Sequence, residues 1–150
     1  PSSIAPALNM VVGQRLVRKI CPHCSVLSKP GKEELAEIKK GLKGVSAKIL
    51  KEAGVPAFAK ASAGAVKTAK ASEKGCKDCN STGYRGRIGI YETFLVDDEM
   101  EKFILASPSI AAMRDLAIKK GMVSMYQDGL IKVLEGITTI DEIERMAGEA

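Results

Sequence analysis

The chain has 150 residues, of which 45% are hydrophobic and 27% charged, and these proportions are typical of a globular protein with one domain or two small lobes. No apolar run approaches the about 20 residues that a membrane-spanning helix needs, and the N-terminus lacks the charge order of a signal peptide, so we expect a cytoplasmic protein. The net charge of +5 is concentrated in residues 29–74, which hold eleven Lys and five Glu, so it does not indicate a nucleic-acid-binding face built across the fold.

Residues 1–28 predict a helix that ends in a cysteine turn. Apolar residues recur at helical spacing from Leu8 to Ile20. Arg18 and Lys19 lie where cations favour a helix C-terminus, and Pro22 prevents continuation. We therefore expect a helix up to residue 20.

Residues 29–74 give weaker structural signals. Helical spacing of apolar residues is interrupted there by Gly41 and Gly44. The Ala/Lys/Ser-rich sequence after Pro56 cannot bury much apolar surface, so we expect a mobile loop or a frayed helix. The excess of lysines indicates either a solvated surface or one that meets an acidic partner or an anionic membrane.

Residues 75–150 give the clearest pattern. Between residues 84 and 96, Ile, Tyr, Phe and Val alternate with glycines, which favours a short hairpin or two brief strands. Helices follow, each with a capping signal at its start. In chain order they are 98–106 after Asp97 and Asp98, a helix opened by Ser107 and Pro108, one over about 123–135, and one to about Met146 with Thr139 and Glu142 as its capping box.

Four cysteines form two C-x-x-C turns separated by fifty-one residues, Cys21-Pro-His-Cys24 and Cys76-Lys-Asp-Cys79. Each turn holds two sulfurs about one edge of a tetrahedron apart, and two turns complete a four-sulfur site for one zinc ion. Four protein ligands leave no open position for water, so we expect a structural zinc. Arg18, Lys19, Lys74 and Lys77 lie within a few residues of the cysteines, and we expect them to offset the negative charge of the four thiolates. The fold prediction is α+β, mainly α, with a pair of zinc knuckles, a short β-hairpin and a small C-terminal helical domain.

Other roles for the cysteines fit the sequence less well. Disulfides are disfavoured because no secretory signal is present, a redox pair would need a βαβ context, and the spacing differs from that of ferredoxins. The single histidine, His23, lies inside a turn, and we interpret it as a bystander. With no second histidine and no phosphate-binding loop, we predict that this chain taken alone is not an enzyme.

Two binding functions remain as alternatives. A nucleic-acid-binding zinc ribbon would place Lys77, Arg85 and Arg87 on phosphates and stack bases on Tyr84 and Tyr91. Acidic residues nearby and the helical C-terminal part argue against it. The segment C-K-D-C-N-S-T-G resembles the C-x-x-C-x-G-x-G repeat of a chaperone zinc module, but such modules have four repeats, whereas this chain has two C-x-x-C units with a different tail.

Three segments together resemble the C-terminal part of the type II secretion and type IV pilus assembly ATPases. They are GQRLVRKICPHC, GCKDCNSTGYRGRIGIYE and MRDLAIKKGMVSMYQDGLIKVLEGITTIDEIERMA. The resemblance covers residues 2–28 and 75–148, whereas the Lys/Ala-rich insertion is variable. Both branches of the family share these motifs, so the segments do not separate secretion from pilus assembly.

The resemblance implies a cytoplasmic hexameric motor, peripheral to the inner membrane through its partners. ATP and magnesium would bind in Walker and His-box motifs upstream of Pro1, and the start at Pro1 suggests a piece of a longer protein. Residues 1–20 would end the nucleotide-binding core, 21–96 would form the zinc subdomain with its insertion 29–74, and 97–150 a helical subdomain. The matching zinc ligands are Cys21, Cys24, Cys76 and Cys79.

The resemblance also implies partners. These are the other subunits of the hexamer and the inner-membrane platform and assembly proteins, with nucleic acid disfavoured and the membrane touched only peripherally. Arg15, Arg85 and Arg87 are candidate contacts to a subunit or partner.

Overall fold

The computed structural model describes residues 3–55 and 68–148. Within them the chain forms four strands and six α-helices, with short 3-10 turns at Ala5–Ala7 and Lys77–Cys79. The strands are β1 Met10–Ile20, β2 Val26–Ser28, β3 Thr68–Lys70 and β4 Tyr84–Leu95. The helices are α1 Lys32–Gly41, α2 Ala47–Glu52, α3 Asp98–Leu105, α4 Ile110–Lys119, α5 Met125–Leu134 and α6 Ile140–Ala147. The predicted α+β, mainly α, class is confirmed.

The predicted helix over 8–20 is wrong, because residues 10–20 form strand β1. β1 pairs antiparallel with β4 from the rung Met10–Leu95 to the rung Arg18–Arg87, and a register irregularity follows before Ile20. The segment is rich in β-branched residues, and apolar side chains lie on both faces of the strand. When both faces of a strand carry apolar residues, the sequence reads as a nearly continuous apolar run. Periodicity alone does not distinguish such a run from a helix.

The predicted short hairpin within residues 84–96 is also wrong. These residues form one twelve-residue strand, β4, whose partner β1 lies on the far side of both cysteine turns. A local pattern cannot reveal so distant a partner. Gly86 has φ +77 and sits opposite the register irregularity, so this glycine marks a bulge and not a hairpin turn.

The C-terminal helices match the predicted pattern apart from one cap. Asp97 accepts a hydrogen bond from the Met100 N–H, and Thr139 accepts one from the Glu142 N–H, as predicted. The predicted cap Ser107 is wrong: Ser107 has φ +54, and Ser109 caps α4 by accepting a hydrogen bond from the Ala112 N–H. Pro108 therefore precedes the cap instead of following it.

The helices of the insertion are part of the core. α1 packs its apolar face on α5, and Gly41 at the end of α1 lies against Tyr126 and Leu130. The mobile loop or frayed helix expected after Pro56 lies largely outside the described residues, which omit 56–67; residues 68–70 form strand β3 against β2.

One apolar cluster joins the β1–β4 ribbon to the helices. It contains residues from β1, α1, α2, β4, α5 and α6, and its fully buried members include Val17, Ile38, Ile90, Leu130 and Ile143. The cluster covers the inner face of the ribbon and positions the ends of β1 and β4, where the cysteine turns begin and end.

Candidate metal centre

Two strand ends bring the cysteine turns together. β1 ends at Ile20 and leads directly into Cys21, whereas the second turn leads into β4 at Tyr84. The Cys21 N–H donates a hydrogen bond to the Gly83 carbonyl at 2.9 Å, which joins the two turns through their backbones. The antiparallel pairing of β1 with β4 therefore fixes the distance between sulfurs that are more than fifty residues apart in the chain.

The four cysteine sulfurs form a compact cluster in which all lie within 4.8 Å of one another. The Sγ–Sγ distance is 3.8 Å from Cys21 to Cys76, 3.8 Å from Cys24 to Cys79, and 3.7 Å from Cys76 to Cys79. A tetrahedron with Zn–S bonds of about 2.3 Å has S–S edges of about 3.8 Å. The sulfur positions therefore match a tetrahedral zinc site, and none of the cysteines forms a disulfide.

The second turn places backbone N–H groups on one sulfur. The N–H groups of Cys76 and Gly83 donate to the Cys79 sulfur at 3.1 and 3.3 Å. Burial of Cys79 opposes its ionisation, but these hydrogen bonds stabilise the thiolate and lower its pKa to about 6. Because a metal binds the thiolate form, the turn prepares this sulfur for a cation.

The thiols of Cys24 and Cys76 need a nearby cation to become charged. Partial burial, together with hydrogen bonds to the neighbouring thiols of the cluster, raises the pKa of Cys24 to about 12. Burial likewise raises the pKa of Cys76. Four thiols packed at these distances cannot all ionise in isolation, whereas a central dication offsets their mutual repulsion. The donor set therefore fits zinc.

Backbone conformation explains why small residues flank the second turn. Asn80 and Ser81 adopt the left-handed conformation, with φ 50 and 59. Gly75 has φ +58, and a Cβ at this position would lie 2.3 Å from the Ser81 carbonyl carbon. Only glycine fits there without moving the backbone that carries Cys76.

The surrounding charges differ in part from those expected from the sequence. Arg18, expected to offset the thiolates, pairs with Glu142, at 2.5 Å between Nη2 and Oε1. His23, the only histidine, is not among the residues of the sulfur cluster. Arg85 lies 3.8 Å from Asp78, the residue between the second pair of cysteines. One arginine therefore supports the second turn.

The three arginines proposed as contacts have different environments. Arg15 donates a hydrogen bond to the Met146 carbonyl at the end of α6. Arg85 is paired with Asp78, which leaves it less available for the phosphate contact of a nucleic-acid-binding ribbon. Arg87 has no ion pair within the described residues.

Sequence reasoning missed Glu142 as a buried charge. It was predicted to complete a capping box, but its carboxylate is 2% exposed and accepts hydrogen bonds from Arg18 and Arg145. Burial of Glu142 opposes its ionisation, yet the hydrogen bonds from the two guanidinium groups lower its pKa to about 2. Arg18 also lies 4.1 Å from the ring centroid of Tyr84. The available signal was an acidic residue on the apolar side of a short helix.

Comparison with known proteins now identifies the family. The ribbon, the helices and the sulfur cluster define a mixed α+β segment with four cysteines that could hold a metal ion. A family described as "Type II/IV secretion system protein" matches residues 1–145, and the chain belongs to this family. No helix among the described residues is both long and apolar enough to cross a bilayer.

Several similar proteins are named secretion or pilus ATPases. The chain is 38% identical over 143 residues to a type IV pilus assembly ATPase PilB of Thermus thermophilus, which covers 95% of the chain and 14% of that protein. It is 34% identical over 144 residues to a PilB of Myxococcus xanthus (95% and 22%) and 34% identical over 152 residues to the type II secretion system ATPase E of Vibrio cholerae (100% and 25%). The chain thus spans at most a quarter of the length of these three relatives.

Proposed function

We propose that this chain is the structural zinc-binding segment of a cytoplasmic hexameric ATPase that powers type II secretion or type IV pilus assembly. The observation that carries the proposal is the four-sulfur cluster, whose edges of 3.7 to 3.8 Å suit a tetrahedral zinc, in a chain that belongs to the secretion family. The proposed ligands are Cys21, Cys24, Cys76 and Cys79.

In this proposal the zinc has a structural function. Four thiolates fill its coordination sphere, so the ion supplies no open position for a substrate and instead holds two turns of the chain together. The turns connect β1 and β4 to the paired strands β2 and β3, which contribute few buried apolar side chains of their own. ATP and magnesium would bind in other parts of the longer protein, and this segment would carry out none of the phosphate chemistry.

We also propose three parts of the chain with the following boundaries. Residues 21–96 contain the zinc subdomain with its insertion 29–74, and residues 97–150 form the helical subdomain. Residues 1–20 would end the nucleotide-binding core, and their last part is strand β1. Because the apolar cluster includes residues on both sides of residue 96, the two subdomains would share a core and would not move freely as separate lobes.

We further propose that α1 and α2 contribute to docking on an inner-membrane platform protein. Six lysines on these helices and their connection are exposed, and only Lys48 has an ion pair within the described residues, with Glu52 at 3.9 Å. The other five are Lys32, Lys39, Lys40, Lys43 and Lys51. These lysines are exposed, whereas Leu35 and Ile38 of α1 are buried in the core, so docking on the lysines would leave the core intact.

The docking proposal is tested with a neutralised variant. Lys39, Lys40 and Lys43 are replaced together by Gln, which keeps the helix propensity, and binding to the cytoplasmic part of the platform protein is measured at two salt concentrations. We expect weaker, less salt-dependent binding, because long-range attraction between exposed charges is lost.

The control variant replaces Lys102 and Lys119, which are exposed on α3 and α4, by Gln, and should bind as the unmodified chain does. Unchanged binding of the triple variant would contradict the docking role without affecting the zinc assignment. Anionic liposomes form a second arm. Loss of binding to liposomes alone would assign the basic face to lipid and contradict docking on the platform protein.

A further inference from the structure

The outer face of the β1–β4 ribbon is apolar along most of its length. Its rungs, formed by directly opposed residues, are Met10–Leu95, Val12–Thr93, Gln14–Tyr91, Leu16–Gly89 and Arg18–Arg87. The inner face carries the alternating set, including Val17 and Ile90, which are fully buried under the helices. The ribbon therefore has one covered face and one that the described residues leave open.

The open face exposes large apolar side chains to solvent. Five large apolar side chains on it are between 45% and 66% exposed: Met10, Val12, Leu16, Tyr91 and Leu95. The Tyr91 ring lies across Gly89, where a Cβ would be 2.5 Å from the phenolic oxygen, so the glycine allows the ring to lie flat along the strand. Such a contiguous apolar patch, framed by polar residues, marks an interaction surface and not a solvated one.

A charged rung closes one end of this face. Arg18 and Arg87 are directly opposed, and like charges in this relation destabilise a strand pair. Arg18 is neutralised by Glu142, but Arg87 has no carboxylate partner within the described residues. A partner that covers the apolar rungs and carries a carboxylate at this end would satisfy Arg87.

We infer that the outer face of the ribbon, with Arg87 at its end, is the docking surface for an amphipathic α-helix of the same longer polypeptide. A sheet face is usually buried under a second layer, and helices already form that layer on the inner face. Eight residues separate the first and last rungs, a length of about 27 Å at 3.4 Å per residue. A helix of about 18 residues spans this distance at 1.5 Å per residue.

The small size of the face favours an occupant in the same polypeptide over a separate protein. Five apolar side chains and one arginine are far fewer than the about 20–30 residues that each partner contributes to a standard protein–protein interface. A short linker raises the effective concentration of its own helix to about the millimolar range, at which so small a contact suffices. This inference rests on the proposed function, in which the chain is a segment of a much longer ATPase.

The occupant can be found by titration with peptides. Overlapping peptides of about 20 residues, taken from the PilB of Myxococcus xanthus outside its matched segment, are added at up to about 1 mM to the isotope-labelled 150-residue chain. We expect one peptide with an apolar stripe and an acidic residue to shift the amide resonances of Met10, Val12, Leu16, Tyr91 and Leu95. Leu16→Lys should abolish these shifts, and Arg87→Glu should weaken binding about tenfold.

Matched control variants distinguish specific binding at this surface from nonspecific binding of the peptide. Ile118→Lys and Arg114→Glu change an exposed apolar and an exposed basic residue on α4, and both should bind the peptide normally. Reversing the acidic residue of the peptide to Lys should restore binding to Arg87→Glu. The inference is overturned if no peptide shifts the face, if Arg87→Glu binds normally, or if sedimentation shows a dimer that Leu16→Lys dissociates.

The zinc content is measured on the same variants. Leu16→Lys and Arg87→Glu should keep the metal, since neither residue touches the sulfur cluster. Failure of the docking inference and failure of the zinc proposal are therefore distinguishable: the first changes the resonance shifts alone, the second the metal content alone.

Discussion

The cysteine region, defined as residues 21–28 and 68–83, and the ribbon–helix core are stabilised in different ways. The core buries large apolar side chains from β1, β4, α1, α5 and α6, many of them completely. In the cysteine region the only buried apolar residues are Cys21, Ala69 and Cys79. Its backbone is instead organised around four sulfurs that approach one another closely.

In the proposed zinc-bound protein, the metal and apolar burial have separate functions. A region with so few apolar contacts cannot offset its own conformational entropy, and the proposed zinc, by joining two distant turns, would take the place of the missing core. The ribbon–helix core needs no such help. Stability should therefore depend on the metal in one region and on packing in the other.

Chelation gives the largest expected effect. In excess EDTA, amide hydrogen exchange in residues 21–28 and 68–83 should accelerate by about tenfold or more, because the local structure loses its central ligand. Exchange in α5, α6 and the centres of β1 and β4 should change little, as these amides are protected by the apolar core. Hydrogen-exchange mass spectrometry measures both regions at once. Equal acceleration everywhere would mean that the two regions are one cooperative unit.

Replacing Glu142 by Gln gives the largest expected effect on the core. The variant leaves Arg18 and Arg145 without their shared carboxylate, and we expect the free energy of unfolding to fall by about 3 kcal/mol, as when a buried ion pair is broken. Glu73→Gln, at an exposed position, should change it by less than about 0.5 kcal/mol. Chemical denaturation measures both. A loss no larger than that of Glu73→Gln would contradict the conclusion that Glu142 stabilises the core.

The pH dependence of this variant provides a second readout. The pKa of Glu142 is lowered to about 2 in the folded chain, against about 4.3 for an unfolded Glu. Its contribution is therefore complete above about pH 4.3 and is lost as the pH falls towards about 2. Glu142→Gln should unfold with a shallower acid dependence in this window. An acid dependence equal to that of the unmodified chain would contradict the assignment.

Gly75→Ala should affect the cysteine region without affecting the core. The added Cβ would meet the Ser81 backbone at 2.3 Å, and φ +58 adds strain, so the position of Cys76 must change. We expect zinc affinity to fall about 10- to 100-fold, as with other residues that orient metal ligands. Competition with a chromogenic chelator measures it.

Gly54→Ala is the matched control for this substitution. Gly54 also has a positive φ of +71, but nothing lies within 4 Å of its Cβ position. The Gly54→Ala variant should therefore have the backbone strain without the steric clash, and its zinc affinity should equal that of the unmodified chain. Equal affinity loss in both variants would mean that general destabilisation, and not the cysteine turn, accounts for the effect.

Arg85→Ala should have the smallest effect. Its ion pair with Asp78 spans 3.8 Å between side chains that are both half exposed, and such pairs contribute about 0–1 kcal/mol. Zinc affinity should change less than about fivefold. Calorimetric titration measures it, with Arg114→Ala as the control. A loss near that of Gly75→Ala would show that Arg85 orients the second turn.

The fold could be predicted where its signals are local. From Asp97 onwards, capping residues and apolar stripes predicted the helices. The spacing of the cysteines predicted that their sulfurs form a cluster. β1 was misread because its two apolar faces, Val11 and Val17 inside and Val12 and Leu16 outside, merge into a run that also suits a helix. Only the pairing with β4 distinguishes the two.

Pairwise charges were the least predictable part of the site. Arg18 looked like a counter-charge for the thiolates because it lies three residues before Cys21. Its actual partner, Glu142, is 124 residues away and becomes a neighbour only when α6 packs on β1. Because pairing between distant strands brings remote residues together, distance along the sequence predicts neither which residues are buried nor which charges pair.

The zinc content of the purified chain tests the central claim most directly. Protein prepared without chelator should contain one zinc ion per chain by elemental analysis, and its four thiols should react with a thiol reagent only after the metal is removed. A zinc ratio near zero in folded protein with all four thiols freely reactive would contradict the account, because the sulfur cluster would then exist without the ion that it is proposed to hold.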